Sequence, residues 1–290
     1  MDWFSLSILC AFSLATSDAL SKKYLSDYSA WQLLLIRFSV PGVLLIPVLA
    51  IHPVTSLPAH FWAWLSILMP LEIFAMILYM QAIRDAGLSQ TLPYLSFTPV
   101  FNIATGWLVL GEQLSVSGMT GICLVVVGAY LLNLEHAQGS LKNWYQPIRA
   151  IFYQQGARRM LLAALIYSFT SVGGKAAMQH IPPMTFGALY FIILGFITLV
   201  IVSITRPGEL RILTRKPLAH FAVGGFMALM VVTHFMALSM VEAAYMIAVK
   251  RISLLFGILY GAWLFKEQGI SKNLTSGLIM IIGVMIILLA

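Results

Sequence analysis

Charge is what this sequence has least of. Only 9% of its 290 residues are Asp, Glu, Lys or Arg, against about 25% in an ordinary globular domain. A chain this long and this poor in charge cannot cover a water-facing core, so a soluble fold is excluded, as are disordered and collagen-like chains. Cysteine is nearly absent too. Cys10 and Cys123 both lie in apolar stretches, where they act as small hydrophobes rather than as a disulfide framework. There is no basic, aromatic-interleaved patch of nucleic-acid type, no metal-ligand spacing, no Walker loop and no GxSxG elbow. These absences argue against nucleic-acid binding, a metal or other cofactor, ATP hydrolysis by this chain and enzymatic catalysis. What fills the sequence is apolar: 60% of the residues are hydrophobic and the mean hydropathy is +0.93.

A helix needs roughly 20 apolar residues to cross a hydrocarbon core of about 30 Å, because lipid offers no partners for an open backbone. Ten such runs are predicted, at 3–21, 31–51, 61–83, 89–110, 115–134, 160–178, 184–205, 218–240, 243–265 and 273–290. The first resembles a signal peptide in its apolar run, but Asp2 stands where a basic segment should be, and it reads as a retained membrane helix. Between the fifth and sixth runs lies the longest break, a basic linker over 135–159. Its Trp144, Tyr145, Phe152 and Tyr153 beside Lys142, Arg149, Arg158 and Arg159 suit a membrane surface, or equally a flexible connector.

The two groups of five runs repeat each other at an offset of about 155 residues. The fourth ends GWLVLGEQLSVSGMTG and the ninth GAWLFKEQGISKNLTSG, so Glu112 corresponds to Glu267, and SDALSKK matches TSVGGKA, placing Lys22 opposite Lys175. An odd number of spans makes the second copy enter the membrane from the opposite side. The expected fold is therefore an all-α integral membrane protein of ten transmembrane helices, built as two inverted five-helix repeats over 1–134 and 160–290. Two inverted halves around a cavity that opens to either side in turn is the logic of a secondary transporter.

Ten spans in this arrangement, a Gly-Glu or Lys-Glu pair closing the fourth and ninth, and the run AVKRISLLFGILYGAWLFKE resemble the EamA-type members of the drug/metabolite transporter superfamily. The resemblance extends over essentially the whole chain. It implies a cavity lined by inner helices that include the third, fourth, eighth and ninth, with the fifth and tenth peripheral. It also implies cytoplasmic termini, whereas the basic residues gathered in the odd-numbered loops place both termini outside.

Ionisable groups inside spans cost roughly 2.5 kcal/mol or more each and face a cavity or a partner. Asp18, Arg37, Glu72, Lys250 and Arg251 are such groups. Glu72 reads either as a protonatable coupling acid or as the partner of Arg37 in a buried ion pair; Asp18 could fill the same coupling role, but near a helix end it reads first as the local partner of Lys22. Arg251 and Lys250 read either as receivers of an anionic group on the substrate, by a bidentate fork and a point charge respectively, or as one snorkelling cation and one neutralised by Glu72 or Glu242. If the ninth span is one helix, Lys250 shares a side with Ser253, Gly257 and Gly261, and Arg251 with Ala244, Ile247 and Leu255. In the fourth span Gln90, Tyr94, Phe97, Thr98, Phe101, Asn102 and Thr105 form one polar and aromatic side, bent by Pro93 and Pro99, that suits a cavity wall or a packing face. Tyr79 and His234 occupy equivalent repeat positions, His234 either titrating or packing. Trp31 and Tyr245 are aromatic walls or interfacial anchors. Glu112 and Glu267 are expected to complement the positive start of the helix that follows each.

The expected function is export of small metabolites such as amino acids by alternating access across the inner (plasma) membrane, with protons as the coupling ion. The small-molecule substrate would be bound by Arg37, Glu72, Tyr79, Tyr94, Thr98, Asn102, His234, Lys250 and Arg251. Translocation of organic phosphates or lipid headgroups uses the same cations and stays open, as does a scaffold that moves nothing. Membrane lipids are the expected surroundings, and a homodimer is left open.

Overall fold

The computed structural model describes residues 1–54, 57–86, 94–138, 146–266 and 274–290, and among these every regular element is helical. Thirteen α-helices follow in chain order: α1 Trp3–Tyr24, α2 Ala30–Leu44, α3 Ile46–Ile51, α4 Ala59–Ala86, α5 Thr98–Leu110, α6 Val116–Gln138, α7 Gln146–Tyr153, α8 Gln155–Ala177, α9 Pro183–Thr205, α10 Pro217–Leu238, α11 Ala243–Lys250, α12 Ser253–Phe265 and α13 Leu274–Leu288. Among the described residues, seven stretches are long and apolar enough to cross a membrane, and three shorter apolar helices lie at Thr98–Leu110, Val116–Leu132 and Thr275–Leu288. The chain is thus a multi-pass membrane protein.

Local chemistry sets the boundaries. Asp2 accepts the Ser5 N–H at 2.7 Å to start α1, and Ser29 with Gln32 forms a reciprocal capping box at the start of α2. The second predicted span is divided into α2 and α3 at Leu45, because Pro47 has no N–H and its ring crowds the carbonyl one turn back. The basic linker contains the short helix α7, which leaves Phe152 and Tyr153 exposed and stacks Arg149 on the Tyr153 ring. Lys142, Trp144 and Tyr145 lie outside the described residues.

The chain folds into two compact units, each drawing helices from before and after the linker. Unit one comprises Met1–Pro58, Met178–Met240 and Phe256–Lys266. Here α1 packs on α10, and α2 on α9 and α10. The α2–α9 crossing is close because Gly42 and Gly195 face the partner backbone: an added Cβ would come within 2.8 Å of the Phe191 carbonyl oxygen and 2.7 Å of that of Phe38. The Ser17 hydroxyl donates to the Val223 carbonyl at 3.1 Å, joining α1 to α10. At the end of α1, Lys216 donates to Asp27 at 2.7 Å and to the Tyr24 carbonyl at 2.8 Å, while Tyr28 and His220 share a hydrogen bond of 2.9 Å.

The hydrogen bond from Lys216 holds the Asp27 carboxyl below its ordinary value, with charge attraction from Lys216 and Arg215 adding to it. A lowered carboxyl stabilises the fold above its unfolded value and loses that contribution as pH falls through the folded one. Lys216→Gln should therefore melt below wild type at neutral pH, and the gap should close once Asp27 is protonated. Melting curves from pH 7 to pH 3 read this directly; a gap that is constant with pH would assign the loss to Lys216 packing instead.

Unit two comprises Ala59–Ala177, Val241–Leu255 and Glu267–Ala290. In it α4 packs on α8, α6 on α13, and α5 on α8 and α11. Small residues again mark the closest approach: Gly121 and Gly283 face each other across α6 and α13, each within 2.7 Å of the other's carbonyl oxygen once a Cβ is added.

Candidate functional site

The fourth and ninth predicted spans are both discontinuous. Ser96–Phe97 and Arg251–Ile252 are turns rather than helix, and the helices that follow, Thr98–Leu110 and Ser253–Phe265, have bounds that differ by 155 residues at both ends. Around both breaks the backbone falls back to three-residue bonds, Phe97 N–H to Tyr94 O and Arg251 N–H to Ala248 O. Both second segments then end in a left-handed residue, Gly111 at φ 67° and Lys266 at φ 55°. A glycine adopts this conformation without strain and a lysine does not.

These breaks change three expectations. The side assigned to Lys250 with Ser253, Gly257 and Gly261 is interrupted by the turn, and a Cβ at Gly257 would meet nothing within 4 Å, so Gly257 is not a point of close helix approach, whereas Gly261 is buried. Leu255 likewise leaves the face of Arg251. Pro99 starts α5 in its first turn, where a missing N–H is harmless, instead of bending a continuous helix. Gln90 and Pro93 lie outside the described residues.

Unit two holds most of the predicted binding residues. Tyr94 is buried against Ala82, Ala157 and Met160, with Tyr79 packed on the same cluster. Thr98 spends its hydroxyl on the Leu95 carbonyl at 2.7 Å. Asn102 is fully buried, and its Oδ1 lies 2.9 Å from the Ser171 hydroxyl on α8. Ser171 also reaches the Ser168 carbonyl at 2.9 Å with its single proton. The far end of the Asn102 carboxamide has no partner, and turning the amide over leaves its other end equally unpaired.

Arg251 sits at the break itself, and its Nε is buried without a hydrogen-bond acceptor. Glu112, one residue past the end of α5's cap, holds Ala243 at the start of α11, so the two helices run antiparallel. Counting about 1.5 Å per residue from that contact puts Arg251 roughly 12 Å along, within one turn of the level of Asn102. Two buried, unsatisfied polar groups thus lie at one depth of unit two. Glu72 and Lys250 are partly buried on α4 and at the end of α11.

Unit one holds Arg37 and His234. Arg37 pairs with Asp18 at 2.5 Å and places its other Nη 3.6 Å from the Met227 sulfur. Asp18 is thereby engaged by a cation on the neighbouring helix, and Lys22, one turn away, lies over the Phe265 ring at 4.5 Å. His234 packs edge-on against Phe235. Trp31 stacks with Arg206 at 5.0 Å. Tyr245, in unit two, is buried and hydrogen-bonded to Ser115, a packing role and not a cavity wall.

Glu112 also departs from expectation. Its carboxylate caps α11, not the helix that follows it in sequence, and pairs with Lys175 at 2.6 Å. The repeat had singled out both residues, but nothing in their spacing paired them. Glu267 lies outside the described residues. Ser171, one turn before Lys175, was missed, since the hydroxyls of Ser168, Thr170 and Ser171 do not by themselves say which of them meets another helix.

A family model for EamA-like transporters matches residues 1–134 and 155–289. The chain belongs to the EamA-like transporter family. It is accordingly a membrane transporter of the drug/metabolite transporter superfamily, whose members transport rather than catalyse. A solved crystal structure superposes on this EamA chain with a TM-score of 0.77, covering 99% of it and 97% of the other chain at 13% identity. That likeness is one of fold. No curated protein sequence matches.

Proposed function

We propose that this EamA protein is a ten-span secondary transporter of the inner (plasma) membrane, built as two inverted five-helix repeats, which exports small carboxylated metabolites such as amino acids by alternating access. The observation that carries this reading is the pair of helix breaks at equivalent repeat positions. Broken helices at membrane depth expose backbone groups where they line a cavity, and in inverted-repeat transporters such breaks accompany the substrate site.

The substrate carboxylate is received by Arg251, whose unpaired Nε–H is otherwise a standing cost of about 1–3 kcal/mol. Asn102 supplies a second polar contact, Tyr79 and Tyr94 an aromatic wall, and Lys250 a point charge. Glu72 is the coupling acid, taking up a proton as substrate leaves.

Counterflow of radiolabelled amino acids in proteoliposomes, with and without a pH gradient, tests the reading. Saturable exchange accelerated by the gradient is the expected result. Movement of a fluorescent lipid headgroup or a phosphorylated metabolite without amino-acid flux would replace this substrate class with the organic-phosphate one.

Asn102 offers a sharper check. Removing a buried group that is only half satisfied relieves an unpaired polar atom, so Asn102→Leu should leave the melting temperature unchanged or raised while flux falls about tenfold or more. Loss of stability together with flux would make Asn102 a packing residue.

A further inference from the structure

A cleft of about 290 Å³ lies at one end of unit one, where the chain leaves α3, enters α9 and leaves α10. Its wall is rich in sulfur. Met184, Met236 and Met240 line it together with His52, beside Pro182 and Pro183, and neither a carboxylate nor a cysteine is among the described residues around it. Methionine supplies three of the eight lining residues but 15 of 290 in the whole chain, so thioethers are concentrated here.

Local structure brings each of these side chains in. His52 is the first residue after α3 and is exposed. Pro182 and Pro183 start α9, where a missing N–H is harmless, and this places Met184 in the first turn. Met236 lies in the last turn of α10, and the Met240 N–H donates to the Ala237 carbonyl at 3.1 Å, which carries that turn past the helix end. Met236 and Met240 therefore stand one turn apart on the same side, and Met240 is 53% exposed.

Thioether sulfur and imidazole nitrogen are uncharged, polarisable lone-pair donors. They suit a soft monovalent ion, whereas magnesium, calcium and manganese are held by carboxylate, carbonyl and water oxygen, and zinc by thiolate, imidazole and carboxylate. Among the described residues no three His, Cys, Asp or Glu side chains come together, so a site of that second kind is not what the cleft offers. A sphere of this volume has a radius of about 4 Å, and the three rotatable bonds of each methionine let sulfurs on its wall close on one ion.

We propose that this cleft binds a soft monovalent metal ion, Cu(I) or Ag(I), through the sulfurs of Met184, Met236 and Met240 and one ring nitrogen of His52. The ligands come from three separate stretches of chain, which is why no ligand spacing marks the site in the sequence. A bound ion ties the ends of α3, α9 and α10 together. The site lies wholly in unit one, apart from Arg251 and Asn102 in unit two, and does not rest on the transport reading.

The test uses tag-free protein in detergent, with Cys10→Ala and Cys123→Ser removing both thiols. Cu(I) is titrated against bathocuproine disulfonate under ascorbate, and one ion per chain is the expected result. Met184→Leu/Met236→Leu/Met240→Leu keeps apolar volume and removes the sulfurs. Affinity should then fall about a hundredfold or more, beyond the loss caused by removing a hydrogen-bond partner behind a ligand, while the metal-free melting temperature stays unchanged. Ag(I) should raise the melting temperature of the thiol-free protein and not that of the leucine variant. Should the triple variant fail to fold, Met240→Leu and His52→Ala, both at exposed positions, take its place, each weakening binding about tenfold or more. No Cu(I) bound by the thiol-free protein, equal binding by the leucine variant, or equal affinity for Zn(II) would each overturn the proposal. Absence of amino-acid flux in liposomes would overturn the transport reading and leave this result untouched.

Discussion

Arg251→Ala is expected to abolish saturable amino-acid flux while the protein still folds. A bidentate guanidinium–carboxylate contact comprises two charge-assisted hydrogen bonds of about 1.5–3 kcal/mol each, so its loss should lower flux by roughly a hundredfold or more. Folding should be spared because the side chain's Nε is already unsatisfied, and deleting it removes a buried donor without stranding a partner at that atom. Arg251→Lys should not restore flux, since an ammonium cannot reproduce the planar fork. Flux with an unaltered KM and maximal rate in the alanine variant would remove Arg251 from the site and shift attention to Lys250.

The second large effect is on stability. Gly121→Val combined with Gly283→Val should separate α6 from α13 and lower stability by about 4 kcal/mol or more, read as the midpoint of thermal or detergent denaturation. At this crossing an added Cβ meets backbone that cannot rotate aside: the Gly283 carbonyl oxygen at 2.7 Å from position 121, and the Gly121 carbonyl oxygen at 2.7 Å and Val125 nitrogen at 2.8 Å from position 283. Overpacking typically costs 1–3 kcal/mol per site. The loss falls on the association itself, because between helices in lipid close packing, and not apolar burial, is what binds. Gly225→Ala in α10, where a Cβ meets nothing within 4 Å, is the control and should be neutral or stabilising by about 0.5–1 kcal/mol. Equal behaviour of the two sites would mean that α6 and α13 do not depend on this contact.

The membrane class, the apolar runs and the 155-residue repeat were legible in the sequence because each rests on local energetics. Hydrocarbon demands apolar length, and a duplicated stretch keeps its pattern whatever surrounds it. The repeat even located the positions that became equivalent in the backbone, Gly111 and Lys266, without indicating that both would be left-handed. Pro93 and Pro99 announced irregularity in the fourth span. No proline announces the break at Arg251–Ile252.

Partner choice was the part sequence spacing could not decide. One turn of helix makes Lys22 the obvious partner of Asp18, yet Arg37 takes that role from the next helix, and Glu112 serves a helix start 131 residues away in place of the one beside it. Spacing reports only which groups share a face of their own helix. Which helix lies against that face is set by glycine-lined crossings such as Gly42 with Phe191 and Gly121 with Gly283, and these are interactions between distant segments. The sequence by itself therefore determined a duplicated membrane transporter with charges inside its spans; the tertiary structure decided which charges neutralise one another and left the Arg251 Nε without a partner, because pairing is a property of helix contacts and not of helix periodicity.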